Sequence, residues 1–167
     1  MRECWDTWAV RGASPRVGEA QSDRAERVNN CRKIPAYLLK VGHYTQLFDS
    51  LSLTIFGVES QLKQVFLNLV LNAVEAMPHG GELLIHGCLL DDHGKWVAIA
   101  FMDSGVGIPP DDLDKIFEPF YTSKANGTGL GLTVSHNIID NHGGRLTAES
   151  VVGKGSSFTV WLPVPSD

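Results

Sequence analysis

The hydrophobic period of this chain switches from helix to strand and back, and no other feature restricts its fold as tightly. Leu62, Val65, Phe66, Leu69, Ala73 and Ala76 recur at i, i+3, i+4 and i+7 over residues 60–77, which predicts one amphipathic helix. Pro78-His79-Gly80-Gly81 stops it. Residues 82–90 and 95–103 read as two strands joined by a hairpin-type turn at Asp91-Asp92-His93-Gly94, with Val97, Ile99 and Phe101 alternating towards one face. Residues 111–116 form a short helix with acids in its first turn. Residues 129–141 form a second long helix, with Leu130, Val134 and Ile138 at i+4 spacing and Gly143-Gly144 as its stop. Residues 145–150 and 156–162 close the chain as a last hairpin, and the apolar, β-rich residues 51–58 read as a strand before the first helix. This order predicts a two-layer α/β (α+β) sandwich, a mixed sheet with helices on one face.

At 167 residues the chain holds one domain, or one domain with a tail. With 43% apolar and 20% charged residues it has a globular composition, which excludes global disorder. No apolar run approaches the roughly 20 residues of a membrane span. Cys4, Cys31 and Cys88 form no C-x-x-C pair, which argues against a zinc site or disulfide framework and suits a cytoplasmic location.

Charge divides the chain. Residues 1–50 carry eight Lys/Arg and six Asp/Glu, whereas residues 51–167 carry six and thirteen. An acidic main body is a poor nucleic-acid surface, because phosphate contacts need clustered cations. It does not exclude a nucleotide held by backbone N–H groups and a metal. Residues 1–50 are weakly patterned, with a breaker cluster at Arg11-Gly-Ala-Ser-Pro15 and a short apolar stretch over residues 34–39. They read as a divergent or flexible extension, and residues 51–165 as the domain proper.

Three segments carry chemistry. Asn68 and Asn72, four apart on the first helix, share a face that Glu75 continues. Amide oxygens suit Mg²⁺ when phosphates supply the remaining ligands, but the spacing alone favours two polar surface residues on an ordinary helix. Asp103-Ser-Gly105-Val-Gly107-Ile108-Pro109 follows a strand. Its glycines allow a tight turn and a close ligand, and its carboxylate can accept a hydrogen bond from an exocyclic amine; a capped turn would use the same residues. Gly127-Thr128-Gly129-Leu130-Gly131 opens a helix, where backbone N–H groups bind anions, with Lys124 just upstream. A glycine-rich hinge would read the same way. Gly153-Lys154-Gly155-Ser156 precedes a strand and is a hairpin turn rather than a P-loop. The six histidines show no H-E-x-x-H spacing and read as structural or surface residues.

In combination these segments are specific. Gln64-Val-Phe-Leu-Asn68-Leu-Val-Leu-Asn72-Ala-Val-Glu75-Ala-Met77 resembles the N box of sensor histidine kinases, and the Asp103 segment resembles their G1 box. Ile116-Phe117-Glu118-Pro119-Phe120-Tyr-Thr-Ser-Lys124 resembles the F box, and the Gly127–Gly131 segment the G2 box. The resemblance covers about residues 52–163, and Asn72-Ala-Val-Glu-Ala-Met is most similar to the nitrogen-regulation type.

The resemblance implies the Bergerat ATP-binding fold and a protein-histidine kinase catalytic domain with ATP and Mg²⁺ as cofactors. It implies catalytic roles for Asn68, Asn72 and Lys124, with Asn72 the metal ligand and Asn68 a second candidate. It implies that Asp103, Gly105, Gly107, Ile108, Phe117, Lys124, Gly127, Thr128, Gly129, Leu130 and Gly131 line the nucleotide, with Phe117 and Phe120 anchoring a lid over residues 121–127. ATPases of this fold carry a Glu where Asn68 stands, so free hydrolysis is expected to be slow. No His-Glu-x-x-Asn-Pro phosphoacceptor box or dimerisation helices are recognisable, and Val58-Glu59 stands where these kinases have Asp-Pro. The implied partners are therefore a phosphoacceptor histidine on another segment or chain and a response regulator. The alternatives are a non-catalytic nucleotide-binding regulatory module or a truncated kinase fragment.

Overall fold

The computed structural model describes residues 32–40, 43–46, 55–90, 96–124 and 127–164. Its elements are β1 (Arg32–Lys40), β2 (His43–Gln46), α1 (Glu59–Glu75), β3 (Glu82–Leu90), β4 (Trp96–Asp103), α2 (Pro110–Leu113), α3 (Gly131–Asn141), β5 (Arg145–Val151) and β6 (Gly155–Pro163). The strands form one sheet in the order β2-β1-β3-β4-β6-β5.

Every pairing in that sheet is antiparallel, where the sequence pattern predicts a mixed sheet. The connections explain the difference. The helical crossover from β4 to β5 joins two strands that run the same way, but β6 turns back and pairs between them. The crossover from β2 to β3 through α1 does the same around β1. Parallel strands thus exist without a parallel pair. β1 and β2 come from within residues 1–50, for which the sequence pattern assigns no element.

α1 lays Leu62, Val65, Leu69 and Ala73 on the sheet, where they meet Leu83, Val97, Phe101, Phe158, Val160 and Leu162. Phe66 and Phe101 pack with ring centroids 5.7 Å apart. Leu69, Val65, Ile139 and Val160 are fully enclosed, so truncating any of the larger ones to alanine removes about 2–5 kcal/mol of stability. α3 contributes Ser135, Ile138 and Ile139 to this layer, whereas Leu130 and Val134 face outward. The stripe expected from Leu130, Val134 and Ile138 is therefore rotated: Ser135, a small residue, takes the inner position because Asn68 of α1 packs there.

The predicted strand over residues 51–58 is absent from its described part, residues 55–58; residues 51–54 lie outside the described residues. Two contacts with the end of α3 fix that entry to α1 instead. The Val58 backbone N–H donates to His142 Nε2 at 3.0 Å, and a Cβ on Gly57 would lie 2.8 Å from His142 Cδ2. His142 Nδ1 lies 2.7 Å from the Ile138 carbonyl oxygen, so it carries the proton and leaves Nε2 to accept. The turn expected at residues 91–94 lies outside the described residues. The predicted short helix is confined to α2, after which turns carry the chain to Phe117.

Candidate functional site

Asp103 ends β4 and is buried, and it is the first residue of the site. Its Oδ1 accepts the Gly105 N–H at 2.8 Å and the Ser156 N–H at 3.2 Å. Burial pushes its pKa above the ordinary value, and the backbone donors of Gly105 and Ser156 work against that shift. The loop after it is held by its backbone. Val106 N–H donates to the Ala76 carbonyl at 3.0 Å and Gly153 N–H to the Val106 carbonyl at 2.8 Å. Gly107 sits at φ +73°, where a Cβ would lie 2.3 Å from the Val151 carbonyl oxygen, so no other residue fits. Ile108 N–H donates to Ser150 Oγ at 2.7 Å.

Asn68 and Asn72 project from one side of α1, both half-buried, but they face different neighbours. Asn68 Nδ2 donates to Ser135 Oγ of α3 at 3.0 Å. The start of α3 leans on the same side chain: a Cβ on Gly131 would lie 2.5 Å from Asn68 Oδ1. Asn72 Oδ1 accepts from Lys124 Nζ at 3.0 Å, and the same ammonium pairs with the Glu75 carboxylate. Asn72 Nδ2 is buried and has no hydrogen-bond partner among the described residues. The amide oxygen thus faces the Lys124 ammonium.

The segment between α2 and α3 is tied at its root. Phe117 packs against the core and its carbonyl accepts from Thr133 Oγ1 at 3.1 Å. Phe120 is 74% exposed among the described residues, against the expectation that its ring anchors the lid; it adopts φ +66°, and its N–H donates to the Gly129 carbonyl at 3.0 Å. Gly129 has φ +66° with a Cβ position 2.3 Å from the Phe120 carbonyl carbon, and α3 begins only at Gly131. Gly127, Thr128 and Gly129 thus form a lead-in loop rather than the helix's first turn. The Tyr121 hydroxyl bonds to the Asp112 carboxylate, which raises its pKa.

The structure joins Asn72 to Lys124 and sets Asn68 against Gly131, while Gly105, whose N–H holds Asp103, lies against Ala76 at the end of α1. The site also uses Ser135 behind Asn68 and Ser156 beside Asp103, to which the sequence pattern gave no role, and Glu75, expected only to continue the asparagine face, pairs with Lys124. Ser135 was legible only as Gly131 plus four on a helix face. Ser156 is a backbone donor, and no side-chain pattern announces that.

Residues 57–166 match the family of histidine kinase-, DNA gyrase B- and HSP90-like ATPases, and the chain belongs to that family. Within it the chain carries an ATP-binding catalytic domain of the sensor histidine kinase type, with the α/β Bergerat arrangement. It is 50% identical over 104 residues to the sensor histidine kinase ZraS of Escherichia coli strain K12, an alignment covering 62% of this chain and 22% of that protein. Among solved structures it is similar to the catalytic domain of histidine kinase ThkA, at 37% identity and TM-score 0.59, covering 70% of this chain and 74% of that one. It is also similar to full-length ShkA in complex with AMPPNP, at 31% identity and TM-score 0.60, covering 71% of this chain and 24% of that one. The chain thus spans about a fifth of the curated relative, ZraS. No described helix is long and apolar enough to cross a membrane.

Proposed function

We propose that this domain binds Mg²⁺-ATP between α1, the Asp103 loop and the segment carrying Lys124, and passes the γ-phosphate to a histidine on another segment or chain. The observation that carries the reading is the contact of Lys124 Nζ with Asn72 Oδ1 at 3.0 Å, which joins a cation and an amide oxygen at one point. The residues fit the ligand. Asp103, fixed through Oδ1 by two amides, offers its other oxygen to the adenine amine. Ile108 and Phe117 flank the nucleotide, and the backbone of Gly127, Thr128, Gly129, Leu130 and Gly131 holds the phosphates. Asn72 would hold Mg²⁺, which when bound would neutralise charge on the phosphate oxygens. Lys124 moves its charge to the terminal phosphate.

Asn68 is neutral and engaged with Ser135, so it does not deprotonate water. A neutral imidazole needs no base to attack: an N–P bond forms as the bond to the bridging oxygen breaks, and ADP leaves. Positioning and charge neutralisation then supply the rate. The AMPPNP bound by ShkA supports the nucleotide class. A response regulator is the downstream acceptor and the cytoplasm the compartment of this reading.

The test is transfer from radiolabelled ATP to a histidine-bearing helical domain added in trans. Acid-labile, base-stable label on that domain supports the reading. Label on serine, or none beside a positive-control kinase, contradicts it.

A further inference from the structure

Glu75 has no role in the reading above, yet it shares the Lys124 ammonium with Asn72. The two residues are three apart on α1, so their oxygens converge on one side of the helix. The ion pair is open to water, with the Lys124 and Glu75 side chains 43% and 56% exposed, and a pair that exposed is weak and screened by salt. It is a poor structural clamp. Its information lies in position: a positive charge sits between an amide oxygen and a carboxylate, beside the loop that leads into α3.

A bare carboxylate facing a polyphosphate is repelled by it, so Glu75 belongs in a nucleotide site only if a cation stands between them. A hard divalent cation takes oxygen ligands at about 2.0–2.1 Å and is commonly held by one or two protein oxygens plus substrate phosphates. Asn72 Oδ1 and the Glu75 carboxylate supply that number. Resting on the nucleotide reading, we propose that Glu75 is a second protein ligand, with Asn72, for the divalent ion carried by the nucleotide. The Lys124 ammonium marks the ion's place; arrival of the ion frees Lys124 to pair with phosphate.

The test measures ADP affinity by calorimetry in Mg²⁺ and in EDTA, and reads the ratio of the two. It uses the wild type, Glu75→Gln, Lys124→Met and the double variant, each checked for folding by circular dichroism. Glu75→Gln should lower the Mg²⁺ enhancement by about tenfold, the scale of a lost interaction at a metal. The loss should persist in the Lys124→Met background, because Glu75 acts on the ion. An enhancement unchanged by Glu75→Gln overturns the proposal. So does a loss that vanishes once Lys124 is methionine, since Glu75 would then act only through the lysine. A folded wild type that binds no ADP in either condition overturns the nucleotide reading itself, a result distinct from these.

Discussion

Ser156 donates its backbone N–H to Asp103 Oδ1 at 3.2 Å, so the buried carboxylate at the end of β4 is aimed by the strand next to it. The neighbouring residue enforces the approach: a Cβ on Gly155, at φ +105°, would lie 1.9 Å from the Asp103 carbonyl oxygen. Gly105 N–H, from the loop after β4, holds the same oxygen at 2.8 Å, and neither donor belongs to the Lys124 segment.

Asp103 costs stability as a charge, and this gives a pH signature. Its folded pKa is raised above the ordinary 3.8 by burial, so the folded protein binds the proton more tightly than the unfolded chain. The stability it contributes is present when it is protonated and is lost as pH rises from about 3.8 through the raised value. Asp103→Asn removes this slope while keeping an oxygen for the two amides. Urea unfolding at several pH values should show the variant at least as stable as wild type at pH 7, with adenine nucleotide affinity lost. A variant clearly less stable at pH 7 would mean that the hydrogen bonds to the charged form outweigh desolvation.

Gly129→Ala should damage both fold and binding. The left-handed backbone alone costs an alanine about 1–2 kcal/mol, and its methyl would meet the Phe120 backbone. The expected result is a lower unfolding midpoint and at least tenfold weaker ADP binding. Gly153→Ala, also at positive φ but with open space around it, pays only the backbone cost and should keep its nucleotide affinity.

His142→Ala should loosen the junction of α1 and α3. It removes the acceptor for the exposed Val58 N–H and the donor to Ile138. The loss should be near 1 kcal/mol, because water replaces part of the interaction. At this chain length that lowers Tm by about 2–4 °C. Equal thermal melts for the two proteins would remove His142 from this role.

Asn68→Ala and Asn72→Ala should both abolish phosphotransfer, but only Asn68→Ala should also reduce stability, by about 1 kcal/mol through its bond to Ser135. Parallel label-transfer and denaturation assays separate the two. Full transfer activity in both variants would sink the assignment.

The long helices and hairpins were legible because their periodicities are strong: α1 was expected over residues 60–77 and lies at Glu59–Glu75, and the alternating strand expected over residues 95–103 is β4, Trp96–Asp103. Contacts distant in sequence were not legible. Nothing local in residues 55–58 shows that His142, 84 residues on from Val58, will fix them as a helix entry rather than a strand. The all-antiparallel pairing was hidden because helical crossovers suggest parallel neighbours, whereas β6 and β1 each pair between the two strands that a crossover joins. Of the site, Asp103 and both asparagines were visible as motif positions. Their orientation was not, because Ser156, Ser135 and Glu75 act through geometry that spacing does not encode.

The central claim is a nucleotide site organised by Asp103, and calorimetric titration with Mg²⁺-ADP of wild type beside Asp103→Ala tests it most directly. The wild type should bind saturably and the variant at least a hundredfold more weakly, about 2.7 kcal/mol. Equal affinity in the two proteins, or no binding by a folded wild type, would contradict it.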